Sequence, residues 1–357
     1  MGSDEHFRTN GETLVCRPPD KGGGAKRRGV SALRAFRYSS PNTIGEAVAA
    51  LGERSRALAG GTDLITLMKA DIAAPDELIN VKPLLPRGIE ALAAGLEIGA
   101  LTTLAEIERH PVVMQGYTAL AQAVSLAASP QIRNLATVGG NLLQRPRCWY
   151  YRNARIDCWL KGGADCPARE GENRSHALFG RGPCYAAHPS DLAPALLAFD
   201  AALSVHGRGG ERTIELADFF ALPSAERRRE TTLADDELIL GLRLPPHPAE
   251  TCSTYLKAMD RKAWGFALVG VACVLRLSGR KIAHARLVLA GVAPIPWRAE
   301  AAERELLGDE ASEDRFAAAA EVAVQDAAPL RHNSYKVPLT KALVRKALKA
   351  LTDPACK

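Results

Sequence analysis

The chain has 357 residues, of which 47% are hydrophobic and 24% are charged, so it holds enough apolar material to bury two or three cores. Its formal charge of +6 is spread along the sequence, apart from short basic runs at 26–28 and 227–229, and we therefore expect no nucleic-acid partner. No apolar run approaches the roughly 20 residues that a membrane span needs, which predicts a soluble chain with no membrane span.

The two ends of the chain are predicted to be tails. Residues 1–33 are polar, glycine-rich and without hydrophobic periodicity, which is typical of a disordered extension or a cloning remnant. Residues 352–357 form a second, shorter tail. The pair Arg27-Arg28 is not followed by an apolar segment, so it does not indicate an export signal. We expect a cytoplasmic location, or a periplasmic one if a signal-bearing partner subunit carries the chain across.

Three regions follow the extension. Residues 34–86 alternate short helices and strands, which predicts a small α/β unit with a helix at 43–51, a strand at 56–59 and a helix from 64. Residues 87–248 predict an α+β unit with a mixed or antiparallel sheet, with helices at 104–108 and 117–127 and strands at 89–93, 96–98, 201–206, 213–216 and 237–244. Residues 249–351 predict strands at 253–258, 266–277 and 285–292, followed by helices at 298–307, 312–325 and 340–351.

A diglycine segment follows the predicted strand of the first region. It comprises Ala57, Leu58, Ala59, Gly60, Gly61, Thr62, Asp63 and Leu64. Two glycines let the backbone come close to a bulky anion, and the N–H groups of a helix start point toward it. An ordinary strand-to-helix turn gives the same pattern. The spacing matches neither GxGxxG nor GxxxxGKS/T, which disfavours the usual dinucleotide fold and the phosphate loop of nucleotide hydrolases.

A second diglycine segment lies in the next region, with the sequence Thr137-Val138-Gly139-Gly140-Asn141. Two such loops could close on a pyrophosphate from both sides. The pair therefore predicts a nucleotide site more specifically than either loop alone.

Four sequence strings carry a resemblance to a known family. They are LAGGTDLITLMK, IRNLATVGGNLLQ, HPSDLAPALLAFDA and YLKAMDRKAWGFALVGVA, and they begin at Leu58, Ile132, His188 and Tyr255. In order and spacing they resemble the FAD-binding subunit of the xanthine dehydrogenase, or molybdenum hydroxylase, family from about Arg34 to Leu351. The resemblance implies an α+β fold. Its two-subdomain FAD-binding part, of the vanillyl-alcohol oxidase type (PCMH-like), covers 34–86 and 87–248, and a C-terminal α/β domain covers 249–351.

The same resemblance implies which residues bind FAD. The first loop maps onto Ala57 to Leu64, and the second maps onto Thr137, Gly139, Gly140 and Asn141. Asp191, Lys257 and a backbone contact at Ile239 would lie elsewhere around the cofactor, with Asp191 on the flavin side. Two of these have structural alternatives, because Asp191 directly precedes an apolar run and could cap a helix, while Lys257 could be a solvated strand residue.

Four cysteines, Cys148, Cys158, Cys166 and Cys184, fall in one window without a CxxC pair. Structural zinc usually draws on close thiolate pairs, whereas an iron-sulfur cluster can take its four thiolates from a loosely spaced loop. The window lies in an insertion at 145–187, and its boundaries RPRCWYY and PCYAAHPSD resemble most the bacterial aldehyde oxidoreductase flavin subunits that carry an extra 4Fe-4S cluster. We therefore expect these cysteines to hold a 4Fe-4S cluster. Disulfides or zinc remain the alternatives.

The implied function is that of an oxidoreductase subunit with no catalytic acid or base of its own. Electrons from a molybdopterin-binding large subunit would pass through a 2Fe-2S small subunit to FAD, and from there to a small-molecule or protein acceptor. An aldehyde oxidoreductase heterotrimer is the expected complex. The alternatives are the flavin subunit of a 4-hydroxybenzoyl-CoA reductase-like enzyme and a cluster-bearing assembly scaffold with a vestigial flavin site.

Overall fold

The computed structural model describes residues 14–16, 33–180, 182–261 and 263–352. This part of the chain contains three β-sheets, one in each predicted region. Among the helices of these residues, none combines the length and the hydrophobicity that a membrane span requires.

The first region is a sheet with the strand order β1-β2-β4-β3, in which β2, β4 and β3 are parallel. The elements are β1 Leu14–Cys16, β2 Phe36–Ser39, α1 Ile44–Ala50, β3 Ser55–Leu58, α2 Leu64–Lys69 and β4 Glu77–Asn80. Thr43 caps α1 by accepting a hydrogen bond from the Glu46 N–H. A small core of α1 and β4 side chains, including Val48 and Ile79, holds this unit together.

The prediction that residues 1–33 form a disordered extension is wrong at 14–16. Those three residues are β-favouring in an otherwise polar stretch, and they pair antiparallel with β2. The rest of the predicted extension up to residue 32, like residues 353–357 of the predicted tail, lies outside the described residues.

The second region contains an antiparallel sheet with the order β5-β6-β9-β7-β8 and a layer of short helices. Its strands are β5 Ile89–Leu92, β6 Gly95–Gly99, β7 Ala202–Gly207, β8 Gly210–Glu215 and β9 Leu238–Leu244. Its helices are α3 Leu104–Arg109, α4 Pro111–Gly116, α5 Thr118–Ser125, α6 Pro130–Arg133, α7 Val138–Leu142, α8 Leu192–Ala198 and α9 Leu216–Phe219. The strand predicted at 213–216 ends at Glu215, because Leu216 turns inward to begin α9.

The third region is an antiparallel sheet, β10-β11-β12-β13, covered by three helices. The elements are β10 Thr251–Ala258, β11 Val269–Ser278, β12 Lys281–Ala290, β13 Trp297–Arg298, α10 Glu300–Leu306, α11 Glu313–Val322 and α12 Lys336–Thr352. One face of this sheet packs under its own helices. Side chains of the other face, Tyr255 and Ala272 among them, join the core of the second region, so the two units share a packed interface.

The cysteine-bearing insertion is more buried than its glycine-rich composition indicates. Regular structure in its described part is limited to a 3-10 helix at Trp159–Lys161. Tyr151, Trp159 and Leu160 nevertheless form a small core with Leu67 of α2. The insertion thus packs directly on the first region.

The third region anchors the far end of the insertion. The Asn333 amide donates to the carbonyls of His176 and Ala177 at 3.1 and 3.0 Å, and its oxygen accepts from the Leu330 N–H. The fully buried Lys336 ammonium donates to the carbonyls of Ser175, His176 and Gly291 at 3.1, 3.0 and 2.8 Å. These contacts satisfy backbone groups that no helix or strand pairs.

We expect Asn333→Ala to lower the free energy of unfolding by about 2 kcal/mol, because it removes the partners of buried backbone groups. Amide hydrogen exchange should also become faster around residues 173–178. The control is His332→Ala, which truncates a neighbouring side chain that is more than a third exposed. Denaturant unfolding and exchange of both variants test this, and equal values for the two would contradict the anchoring role.

Candidate functional site

The first diglycine loop lies where β3 ends, and it is pressed against the second region. Gly61 has a φ of +68°, a left-handed conformation that glycine adopts without strain. A Cβ on Gly60 would lie 2.0 Å from the Leu135 carbonyl oxygen, so only glycine permits this approach. The backbone N–H groups of Gly60, Gly61 and Thr62 donate to no acceptor within the described residues. The loop therefore presents free donors beside the segment that leads into the second diglycine loop.

The second diglycine segment is the start of a short helix rather than an open loop. Thr137 caps α7, its hydroxyl accepting a hydrogen bond from the Gly140 N–H at 3.3 Å. The Gly139 N–H donates to the Ala100 carbonyl at 3.0 Å. A Cβ on Gly140 would meet, within 4 Å, only the Thr137 hydroxyl, so this face is open.

A hydrogen bond leads from the second loop to Asp191. The Asn141 side-chain oxygen accepts from the Ser190 hydroxyl at 2.6 Å. Ser190 is also the residue that caps α8, since its hydroxyl accepts from the Ala193 N–H at 3.0 Å. The Asp191 carboxylate makes no capping bond, so the helix-cap alternative for this residue does not hold.

Asp191 instead forms a buried pair with Lys257. Its two carboxylate oxygens accept from the Lys257 ammonium at 2.7 Å and from the Tyr255 hydroxyl at 2.6 Å. The Lys257 side chain is 1% exposed, so it is not a solvated strand residue, and it also donates to the Leu126 carbonyl at 3.0 Å. Burial raises the pKa of Asp191 above its usual range, opposed by the charge of Lys257. Burial and the Asp191 charge raise the pKa of Tyr255.

Sequence reasoning missed Tyr255. It precedes Lys257 by two residues on β10, and the two-residue period of a strand places both side chains on one face. That spacing is the signal that could have identified it.

Ile239 lies on the central strand β9 and is 4% exposed. The carbonyl of the next residue, Leu240, accepts from the Ala100 N–H at 2.9 Å, and Ala100 in turn binds the Gly139 N–H. Two backbone hydrogen bonds thus connect this strand with the second loop.

Asp63 of the first loop faces the insertion. Its carboxylate accepts from the guanidinium groups of Arg147 and Arg152 at 2.6 and 2.8 Å and from the Arg145 N–H at 2.8 Å. Both arginine side chains are largely buried. Because these bonds are charge-assisted and shielded from solvent, they fix the start of the insertion on the first loop.

The four cysteines of the insertion gather around its small core. Cys158 and Cys184 are buried in it, and Cys148 packs against it. Burial raises the pKa of Cys148 to about 11. A hydrogen bond from Cys184 lowers the pKa of Cys166 to about 6, and the same contact together with burial raises that of Cys184. In the described parts of the chain, no three His, Cys, Asp or Glu side chains are arranged to hold a single metal ion.

A cavity of about 410 Å³ lies between the insertion and the loop that joins β10 to β11. Its lining includes Arg147, Cys148, Trp149, His176, His188 and Phe266. The Arg147 guanidinium lies 5.3 Å from the centre of the Phe266 ring. His188 is buried, which lowers its pKa to about 3, and its Nδ1 has no partner among the described residues. The cavity thus adjoins Cys148 and the segment that carries Asp191.

Two family models together match the three regions of the chain. The family model described as the FAD binding domain in molybdopterin dehydrogenase matches residues 34–247. The CO dehydrogenase flavoprotein C-terminal domain matches residues 254–351.

Individual relatives match nearly their whole length. The aldehyde oxidoreductase FAD-binding subunit PaoB of Escherichia coli (strain K12) is 39% identical over 324 residues, covering 88% of this chain and 98% of PaoB. The carbon monoxide dehydrogenase medium chain of Hydrogenophaga pseudoflava is 30% identical, covering 88% and 96%. A solved structure of that dehydrogenase superposes with a TM-score of 0.71, covering 90% of this chain and 98% of the matched chain. The chain therefore belongs to the family of FAD-binding flavoprotein subunits of molybdopterin dehydrogenases.

Proposed function

We propose that the pyrophosphate of one FAD lies between the two diglycine loops. The contact of Gly60 with the Leu135 carbonyl carries this proposal, because it sets the loops side by side. The free N–H groups of the first loop are donors suited to phosphate oxygens, and the open face of Gly140 leaves room for them. The contributing residues are Ala57, Leu58, Ala59, Gly60, Gly61, Thr62, Asp63, Leu64, Thr137, Gly139, Gly140 and Asn141.

Asp191, Lys257 and the backbone of Ile239 would hold the cofactor beyond the pyrophosphate, with Asp191 on the flavin side. The Asp191 carboxylate and the Lys257 ammonium neutralise one another, so the pair adds no net charge to this part of the site. Bound FAD supplies the redox chemistry, since a flavin takes up two electrons and releases them singly or in pairs. The chain's own residues bind and orient it, and we assign no catalytic acid or base.

The subunit acts in a complex. Electrons reach it from a molybdopterin-binding large subunit through a 2Fe-2S small subunit and leave to a small-molecule or protein acceptor. The 39% identity with PaoB, an aldehyde oxidoreductase subunit, supports an aldehyde as the substrate of the complex. Aldehyde-dependent reduction of the flavin in the purified complex tests this substrate class.

Cys148, Cys158, Cys166 and Cys184 bind a 4Fe-4S cluster in this proposal. The donor set fits, since Cys148, Cys158 and Cys184 gather at one small core and Cys166 contacts Cys184. Four thiols brought together in this way match the four thiolates that a 4Fe-4S cluster requires. Bound there, it would carry single electrons.

Gly140→Val should reduce flavin content to near zero without unfolding the chain. A Cβ added at Gly140 would have the Thr137 hydroxyl, 3.1 Å away, as its neighbour outside the helix backbone, and the valine methyls would occupy the space proposed for the pyrophosphate. Gly209→Val, at another glycine with open space around its Cβ, is the matched control and should keep one flavin per chain. Flavin absorbance of the purified variants measures this, and full flavin in Gly140→Val would show that the loops are misassigned. Gly60→Val is unsuitable, because its side chain would push the two loops apart.

Iron and sulfide analysis tests the cluster. The wild-type chain should contain about four irons with an EPR signal after reduction, and Cys158→Ser should lower iron to near zero while part of the flavin is retained. Cys252→Ser, outside the insertion, should leave the iron content unchanged. Stoichiometric zinc, or no metal, in the wild type would refute the assignment.

A further inference from the structure

We propose that His176 is a positioning residue for the redox centre of the insertion, donating a hydrogen bond from Nε2 to the sulfur of Cys148 and thereby raising the reduction potential of the cluster. This inference rests on the proposed 4Fe-4S site. The evidence is a distance of 3.2 Å between His176 Nε2 and Cys148 Sγ, two atoms from opposite ends of the insertion.

The direction of this hydrogen bond follows from the chemistry of the ligand. A thiolate that binds iron has no hydrogen, so the imidazole must be the donor. His176 is 2% exposed, which shields the bond from competing water. Within the described residues, its other ring nitrogen, Nδ1, has no partner. Within the described residues, the contact to Cys148 is therefore the one polar contact of the imidazole ring.

The imidazole is held in place from the third region. The carbonyl of His176 accepts from both the Lys336 ammonium and the Asn333 amide, and its N–H donates to the Asn173 carbonyl at 3.0 Å. The Trp149 ring meets the imidazole edge-on with centroids 5.7 Å apart. A backbone fixed at both polar atoms and a packed ring leave little freedom for Nε2 to move away from the sulfur.

The four cysteine sulfurs differ in their side-chain neighbours. Cys148 and Cys158 each accept from two backbone N–H groups, Cys184 accepts from the Ala186 N–H, and Cys166 contacts Cys184. Among the described residues, Cys148 is the member of the set that faces an imidazole. An N–H donor at a ligating sulfur stabilises the reduced cluster, which carries more negative charge, and so raises its reduction potential.

The first test removes the hydrogen-bond donor of His176 and keeps a side chain of similar shape. His176→Phe retains a ring without a hydrogen-bond donor, and His176→Gln retains a side-chain N–H. In the purified complex, an EPR-monitored redox titration should give a more negative midpoint potential for His176→Phe at unchanged iron content, and a midpoint for His176→Gln nearer the wild type. A wild-type midpoint in an iron-replete His176→Phe variant would overturn the inference while leaving the cluster assignment intact.

The second test uses the wild-type complex, so it does not depend on a variant's folding. Pulsed EPR of the reduced cluster, compared with and without ¹⁵N-labelled histidine, should show a weak coupling to one histidine nitrogen. No histidine coupling would overturn the inference, and so would a strong coupling, which would make His176 an iron ligand. A wild-type complex without cluster iron would instead overturn the proposed cluster, and this inference with it.

Discussion

The approach of Gly60 to the Leu135 carbonyl is the constraint on which the arrangement of the site depends. A side chain at this position would lie 2.0 Å from that oxygen, so the first and second regions could not meet where they do. On one side of this contact, Asp63 extends the first loop to the insertion through Arg147 and Arg152. On the other, Asn141 leads through Ser190 to the Asp191 pair with Lys257. One continuous set of contacts thus connects all three sheets with the cysteines.

The insertion shows how a segment with little regular structure becomes ordered. Its backbone polar groups are satisfied by side chains from outside it, since Arg228 donates to the carbonyls of Trp159 and Gly163 at 2.6 and 2.9 Å while Asn333 and Lys336 bind its far end. These donors are the long side chains of Arg228 and Lys336 and the side-chain amide of Asn333. They reach carbonyls that lie far away in sequence. The cysteines are therefore held by a framework that belongs to the rest of the protein.

Much of the fold could be predicted because its longer elements have clear periodicity. The α1 helix, the strands of the second sheet, the strands β10 to β12 of the third sheet and the helix α12 agree with the pattern of apolar residues, whereas the two-residue strand β13 was not predicted. The short helices α4, α6 and α7, of four to six residues each, were not predicted. Residues 14–16 form a strand only because an edge of the first sheet is available to pair with them.

The site was predicted at the level of motifs but not of contacts. The diglycine loops were identifiable because glycine pairs stand out in a sequence, whereas the helix-cap and cofactor-contact interpretations of Asp191 fit the same local sequence. Ser190 caps the helix α8, and Lys257 binds Asp191 from a strand that is distant in sequence. Likewise, the ion pairs of Arg147 and Arg152 with Asp63 join residues more than 80 positions apart. Such pairings depend on tertiary structure, which a local pattern does not contain.

If the two diglycine loops bind a pyrophosphate, the chain must distinguish between flavins that differ in that group. FAD contains a pyrophosphate, whereas FMN has a single phosphate and the same isoalloxazine ring. Titrating the full chain, stripped of flavin, with each cofactor and following flavin fluorescence measures both affinities. We expect one tightly bound FAD per chain and much weaker binding of FMN. Equal affinity for the two flavins, or no binding of either, would contradict it.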